Sequence, residues 1–269
     1  MQSESKTADL LYGRKPVQLF LEKSPRRALR LWIDRRLDPQ IMEKFSRLAR
    51  GRTVKITPVD PGQIDRLARH AVHQGVALEA EPLRLHDMSD LLGFLKKSEI
   101  QNPKSAIAFL ALDGVTDPQN FGAICRSAEC FGMSGVIFEA RHSPPLGGAA
   151  YKASAGALDF LTLYAVSNLA EAIRAIRSKS TVIVGLDAGA KSSLDGILKS
   201  QRTLPDRLGL VLGSEGRGIR PQIKSICDFL CSIPMAGQVG SLNVSAAAAA
   251  VSFWWSSQKL DTRPNLRQN

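Results

Sequence analysis

The sequence predicts an α/β protein in two parts, a small mixed unit followed by a larger one built on a mostly parallel sheet. Three observations carry this. Stretches with period-two apolar spacing alternate with stretches of helical spacing along most of the chain, the pattern of α/β folds. From residue 105 onward the strand-like runs are apolar at consecutive positions, as in parallel strands covered on both faces. Several of those runs end in Gly-bearing turns, and the carboxyl ends of strands are where open α/β sheets bind ligands.

Residues 11–84 form the first part. PVQLFLEKS has helical spacing, and ALRLWID reads as a strand with Leu29, Leu31 and Ile33 on one face. DPQIMEKFSRLARG follows as a helix, with Asp38 as N-cap, Pro39 at its first position and Gly51 at its stop. TVKITPVD is a strand, DPGQIDRLARHA a second helix with an Asp-Pro start, and VALEAEP a closing strand. Residues 85–104 read as a linker, in which SDLLGFLKKS can form one short helix and EIQNPKS is a polar, Pro-containing break.

Residues 105–260 form the second part. SAIAFLALDG is a buried strand, NFGAICRSAECFG a helix stopping at Gly132, and GVIFEA, TVIVGLD and LGLVLGSEG are further strands. Another strand ends at Ile233, Pro234 and Met235, and LNVSAAAAAVSFWWSSQ is a long helix. The tail DTRPNLRQN is expected to be disordered.

Bulk properties narrow the functional classes. The chain has 269 residues, is 44% hydrophobic and 23% charged, and carries a net charge of +11. It has no apolar run of ~18 residues, so no membrane span is expected. Its start lacks the apolar stretch of a signal peptide, which points to the cytoplasm. The basic excess suggests a polyanionic partner, because Lys and Arg that neutralise phosphates release condensed counterions. It is densest in residues 1–55, with 14 Lys/Arg against 6 Asp/Glu. Arg14 and the cluster Arg26, Arg27, Arg30, Arg35 and Arg36 are therefore candidate nucleic-acid contacts. Cys125 and Cys130 are separated by four residues and Cys227 and Cys231 by three, unlike the CxxC pairs of a zinc ribbon. Free thiols and no metal site are expected.

Three segments of the second part carry chemistry. In LDGVTDPQNFGAICRSA a strand delivers a polar loop, with Asn120 near the start of a helix and Arg126 further along it. Alone, these read equally as a helix cap and a solvated side chain. In LGLVLGSEGRGI a buried strand runs into Gly213, Glu215, Gly216 and Gly218. Such glycines let backbone approach a ligand, but the string is neither a dinucleotide fingerprint nor a P-loop. In CSIPMAGQVGSLNVSAAAAA a Gly-bearing loop leads to Ser241 and Asn243, either of which can cap the helix that follows. Together, three strand-end loops with Asn, Arg, Glu, Ser and Asn would converge on one crevice.

The strings DPQNFGAICRSA, VLGSEGRGI and SIPMAGQVGSLNVSAA resemble, in order and spacing, the three motifs of the SpoU/TrmH family of RNA ribose methyltransferases, in the SPOUT superfamily. KASAGAL resembles a segment between the first two motifs, and LYGRKPVQLFLEKS and HQGVALEAEPL resemble the RNA-binding domain of the RlmB-like branch. The resemblance implies a trefoil-knotted parallel sheet, S-adenosyl-L-methionine as cofactor, a homodimer, and methylation of a ribose 2′-hydroxyl, in that branch on a guanosine of large-subunit ribosomal RNA. It implies cofactor contacts at Leu212, Gly213, Gly216, Ile233, Met235 and Leu242, with Gly213 and Gly216 leaving room for it. It implies active-site roles for Asn120, Arg126, Glu215, Ser241 and Asn243, with Arg126 central. A guanidinium does not readily deprotonate, so phosphate clamping and alkoxide stabilisation suit Arg126 better than general base catalysis. Glu215 either takes the proton or anchors its loop.

The alternatives are a transfer-RNA ribose methyltransferase, a relative acting on an adenosine, a non-catalytic ribosome-assembly protein on the same fold, and a nucleotide-dependent oxidoreductase. The missing dinucleotide fingerprint argues against the last. In the closing helix, Phe253, Trp254 and Trp255 beside Ala246–Ala250 offer either a dimer surface or simply a cover for the sheet.

Overall fold

The computed structural model describes residues 8–24, 26–101, 106–196 and 205–260. The expected disordered tail and the end of the EIQNPKS break lie outside the described residues. In chain order the first elements are β1 (Asp9–Tyr12), α1 (Arg14–Lys23), β2 (Ala28–Asp34), α2 (Pro39–Arg50), β3 (Lys55–Val59), α3 (Pro61–Leu67), β4 (Val76–Ala80) and α4 (Met88–Gln101). There follow β5 (Ile107–Asp113), α5 (Pro118–Cys130), β6 (Gly135–Glu139), α6 (Gly148–Ala153), β7 (Leu163–Val166), α7 (Leu169–Arg177) and β8 (Val182–Leu186). The last are β9 (Ser192–Ser193), β10 (Arg207–Gly213), α8 (Pro221–Lys224), β11 (Phe229–Ser232) and α9 (Val244–Leu260). Two compact units result, one running through Arg84 and including Pro145–Phe160, the other holding Leu85–Pro144 and the chain from Leu161.

The first unit has a four-stranded sheet of order β1-β4-β2-β3, in which β2 and β3 are parallel and the other pairs antiparallel. Its helices start where Asp-Pro places them. The Asp38 carboxylate accepts from the Gln40 N–H at 2.8 Å, and Asp60 opens α3 with a capping box closed by Gln63. Val17, Phe20, Leu31, Ile33 and Phe45 are buried in it. Strand β1, only four residues long, was not anticipated.

Pro145–Phe160, expected within the second part, packs in this first unit instead. Gly148 lies so close to the Tyr12 ring that a Cβ there would come within 2.1 Å of it. Arg26 donates to Asp9 and Asp159 at 2.6 Å each and to the Glu81 carbonyl at 2.8 Å. Its guanidinium stacks over the rings of Phe20 and Tyr151, and Asp159 also accepts from the Tyr151 hydroxyl. Arg26 is thus a structural cation and not a free RNA contact, a correction to the basic cluster.

The second unit is a seven-stranded sheet of order β7-β6-β5-β10-β8-β11-β9, parallel throughout. Strand β5 is buried at every position and β10 at all but the last, which is why both read as unbroken apolar runs. Helices α4 and α7 cover one face through Leu91, Leu95, Leu169, Ile173 and Ile176. Helix α4 therefore belongs to this core although it falls in the expected linker, because Leu91 and Leu95 lie four apart on one helix face. Helix α9 packs on α5 and β10. Strand order reverses between β5 and β10, placing a switch-point crevice at the carboxyl ends of the central strands. Among the described residues, no helix is long and apolar enough to cross a membrane.

Candidate active site

Helix α5 is capped by Asp117, whose carboxylate accepts from the Gln119 N–H at 3.1 Å. This leaves Asn120, which sequence reasoning allowed to be a cap, free to reach sideways. Its side-chain N–H donates to Glu215 Oε1 at 2.9 Å. Asn243 performs two tasks. Its side-chain oxygen accepts from the Ser245 N–H at 2.8 Å at the start of α9. Its Nδ2 donates to Glu215 Oε1 at 2.6 Å and to Asn120 Oδ1 at 3.0 Å. Residues far apart in the chain are thereby joined at the strand ends, as the three-loop argument expected. Both amide bonds to Glu215 fall on Oε1, and Oε2 accepts no hydrogen bond among the described residues.

Glu215 is held out by a tight turn. The Gly218 N–H donates to the Ser214 carbonyl at 2.9 Å, and Gly216 and Gly218 adopt φ of +79° and +65°. A Cβ on Gly213 would meet the carbonyl carbon of Gly218 at 2.0 Å and the nitrogen of Ile219 at 2.2 Å. The room that glycine leaves at Gly213 is thus filled by the chain's own backbone and not kept for a ligand. Gly216 has open space where a Cβ would stand, so its positive φ is what demands glycine.

Beyond the turn, Arg220 donates from its backbone N–H and its Nε to the buried Asp113 at 2.7 and 2.6 Å, and from Nη2 to Glu139 at 2.8 Å. Burial alone would raise the Glu139 carboxyl, but bonds from Arg220 and His142 hold it below its ordinary value. The loop after β10 is therefore pinned to the ends of β5 and β6.

A cleft of about 690 Å³ opens at the ends of β8, β10 and β11. Leu212, Gly213, Gly216, Ile233, Met235 and Leu242, the expected cofactor contacts, all line it, with Glu215, Ser241 and Asn243. Asn120 joins the wall through Glu215. Arg126 is not on the wall; it is exposed on α5, about 9 Å along the helix axis from Asn120. Sequence reasoning missed Asp187 and Lys224, which also line the cleft. Asp187 accepts from Lys224 Nζ at 2.5 Å and from the Gly189 N–H at 3.0 Å. The signal was an acid at the carboxyl end of the TVIVGLD strand, the same position that exposed the other loops.

Residues 108–253 match the SpoU rRNA Methylase family, and residues 10–86 match the domain described as RNA 2′-O ribose methyltransferase substrate binding. The 23S rRNA (guanosine-2′-O-)-methyltransferase RlmB of Pseudomonas aeruginosa is 35% identical, covering 90% of this chain and 94% of its own length. The enzyme of that name from Salmonella typhimurium is 36% identical, covering 91% and 97%. The crystal structure of the SpoU methyltransferase AviRb from Streptomyces viridochromogenes, in complex with AdoMet, matches with a TM-score of 0.75. That match covers 96% of this chain and 92% of AviRb at 23% identity, a likeness of fold.

Proposed function

The chain belongs to the SpoU rRNA methylase family, and from that premise we propose that it methylates a ribose 2′-hydroxyl of RNA, with a guanosine of large-subunit ribosomal RNA as target. The observation that carries this is the meeting of Asn120, Glu215 and Asn243 beside a cleft suited to S-adenosylmethionine. The cleft volume of about 690 Å³ is within the range of ~300–1,000 Å³ usual for such ligands. Its wall offers apolar Leu212, Ile233, Met235 and Leu242 to an adenosine and the Glu215 carboxylate to a cation. When bound, that cofactor supplies an electrophilic methyl group.

The protein's own residues supply the rest. Asn120 and Asn243 fix Glu215 through Oε1, leaving Oε2 to accept the proton of the 2′-hydroxyl. Arg126, off the wall within one chain, reaches the site of the partner in a homodimer, where it clamps a phosphate beside the target ribose and stabilises the developing alkoxide. Under the same proposal the sheet carries the family's trefoil knot, the protein works in the cytoplasm as a homodimer, and the first and second units divide RNA binding from catalysis. Phe253 supports a dimer surface on α9, being exposed and packed edge-on against Phe131 at 5.7 Å between centroids. Trp255 is buried and Trp254 donates to Asp195, so these two serve their own unit.

The test is methylation by the purified chain of ribosomal RNA from cells lacking the protein. Expected is one alkali-resistant linkage 3′ of a guanosine in the large-subunit RNA. No cofactor-dependent 2′-O-methylation of any RNA would overturn the proposal.

The RNA-binding face can be narrowed. Arg14 is tied to Gln74, Arg30 lies over Trp32 beside Glu79, and Arg36 lies near Asp34. Arg27 and Arg35 are exposed, with no side-chain partner among the described residues. The double variant Arg27→Ala/Arg35→Ala should bind RNA more weakly, with a slope of affinity against salt smaller by about two. Its cofactor affinity should not change. An unaltered salt slope in filter binding would move the RNA face elsewhere.

A further inference from the structure

We propose that Asp187 is a cofactor-recognition residue that accepts hydrogen bonds from the vicinal ribose hydroxyls of the adenosyl moiety, an inference that rests on the methyltransferase reading above. It begins with position. Val211 of β10 pairs with Gly185 of β8, so Asp187 and Gly213 stand at matching ends of neighbouring strands. Sheet spacing separates those strands by about 4.8 Å. Asp187 therefore flanks the cleft on the strand beside the one that carries Glu215, and both carboxylates line it.

The two carboxylates differ in how their charge is balanced. Glu215 is held by the neutral amides of Asn120 and Asn243 and pairs with no cation among the described residues. It keeps a net negative charge, which suits the positively charged part of the ligand. Asp187 is paired with Lys224, so the pair as a whole is neutral and holds little attraction for a cation. What it retains is acceptor capacity. Each oxygen of Asp187 already takes one bond, Oδ1 from the Gly189 N–H and Oδ2 from Lys224. An ionised carboxylate offers about four lone-pair sites, so one remains on each oxygen. Two adjacent neutral donors match two adjacent acceptor positions, and in an adenosyl group the vicinal diol is the pair of donors so spaced. The bonds from Lys224 and Gly189 hold the Asp187 carboxyl below its ordinary value, keeping it an acceptor at neutral pH.

Calorimetric titration of the full chain gives a test independent of turnover. S-adenosylhomocysteine and its 3′-deoxyadenosyl analogue would be titrated into wild type and Asp187→Asn. Wild type is expected to bind the deoxy analogue about tenfold or more weakly, as loss of a hydrogen bond to a charged group implies. In Asp187→Asn, S-adenosylhomocysteine should weaken by a similar factor and the deoxy penalty should largely disappear. Asp187→Ala, which removes both acceptor oxygens, should also lose the penalty and covers the case where Asp187→Asn folds poorly, whereas Lys224→Gln keeps a donor to Asp187 and should preserve it. An undiminished penalty in Asp187→Asn overturns the inference, as does a penalty lost only in Lys224→Gln. So does coupling of Asp187 to an analogue lacking the adenine amino group in place of the ribose hydroxyl. If wild type bound S-adenosylhomocysteine and methylated RNA but showed no coupling, only this inference would fall. If wild type bound neither ligand, the methyltransferase reading would fall with it.

Discussion

Arg126→Ala should lower the rate of methyl transfer by about a hundredfold or more while leaving cofactor affinity nearly unchanged, because it removes a contact formed mainly in the transition state. The geometry separates the two effects. Arg126 is exposed on α5 and off the cleft wall, whereas every expected cofactor contact is on that wall. The substitution should also leave stability within ~0.5 kcal/mol, since it removes an exposed side chain with no hydrogen bond or ion pair among the described residues. Arg126→Lys should recover only part of the rate, because an ammonium keeps the charge but lacks the planar fork that grips a phosphate. Single-turnover kinetics beside calorimetry give both readings. Near-normal turnover in Arg126→Ala would remove this residue from the mechanism, and a parallel loss of cofactor affinity would assign it to the cleft instead.

Gly213→Ala should be the most damaging single methyl group in the second unit. The added Cβ would sit 2.0 Å from the Gly218 carbonyl carbon, and that neighbour is backbone, so it cannot swing aside. The turn must open, Glu215 must leave Asn120 and Asn243, and the cleft loses a wall. Overpacking of this kind costs about 1–3 kcal/mol or more, and each kcal/mol lowers the melting temperature of a domain this size by about 2–4 °C. Cofactor affinity should fall by more than about tenfold, and turnover with it. Gly216→Ala meets no atom within 4 Å and suffers only its φ of +79°, so its loss should be smaller, about 1–2 kcal/mol. Thermal melts of the two variants provide the comparison. Equal losses would show that left-handed backbone, and not the crossing at Gly218, limits this turn.

What the sequence disclosed follows from how each element is stabilised. Strands β5 and β10 are covered on both faces, so burial wrote them as continuous apolar runs. Helices α2 and α3 announced themselves through Asp-Pro starts. The meeting of Asn120, Glu215 and Asn243 was anticipated because each follows a strand end, and in a parallel sheet those ends lie together. The division of Asn243 between cap and site was not, because one side chain with two ends can satisfy both. Short strands such as β1 and β7 carry too few residues to show a period. The Asp187–Lys224 pair joins residues 37 apart in sequence, with no local spacing to betray it. Arg26 looked like part of a basic patch because composition counts charges without their partners, and its partner Asp159 lies 133 residues away.

That last bond has a topological outcome. The first unit is completed by Pro145–Phe160, a stretch the chain supplies from between two strands of the other sheet, β6 and β7. The backbone therefore crosses between the units three times, and no single scission separates them. A break after Arg84 leaves the first fragment held noncovalently by the ion pairs and aromatic contacts that Asp159 and Tyr151 make with Arg26. The first fragment made alone would leave Arg26 without the Asp159 carboxylate that it pairs with at 2.6 Å. Any graft of this unit onto another enzyme must carry both stretches of chain if Asp159 is to meet Arg26.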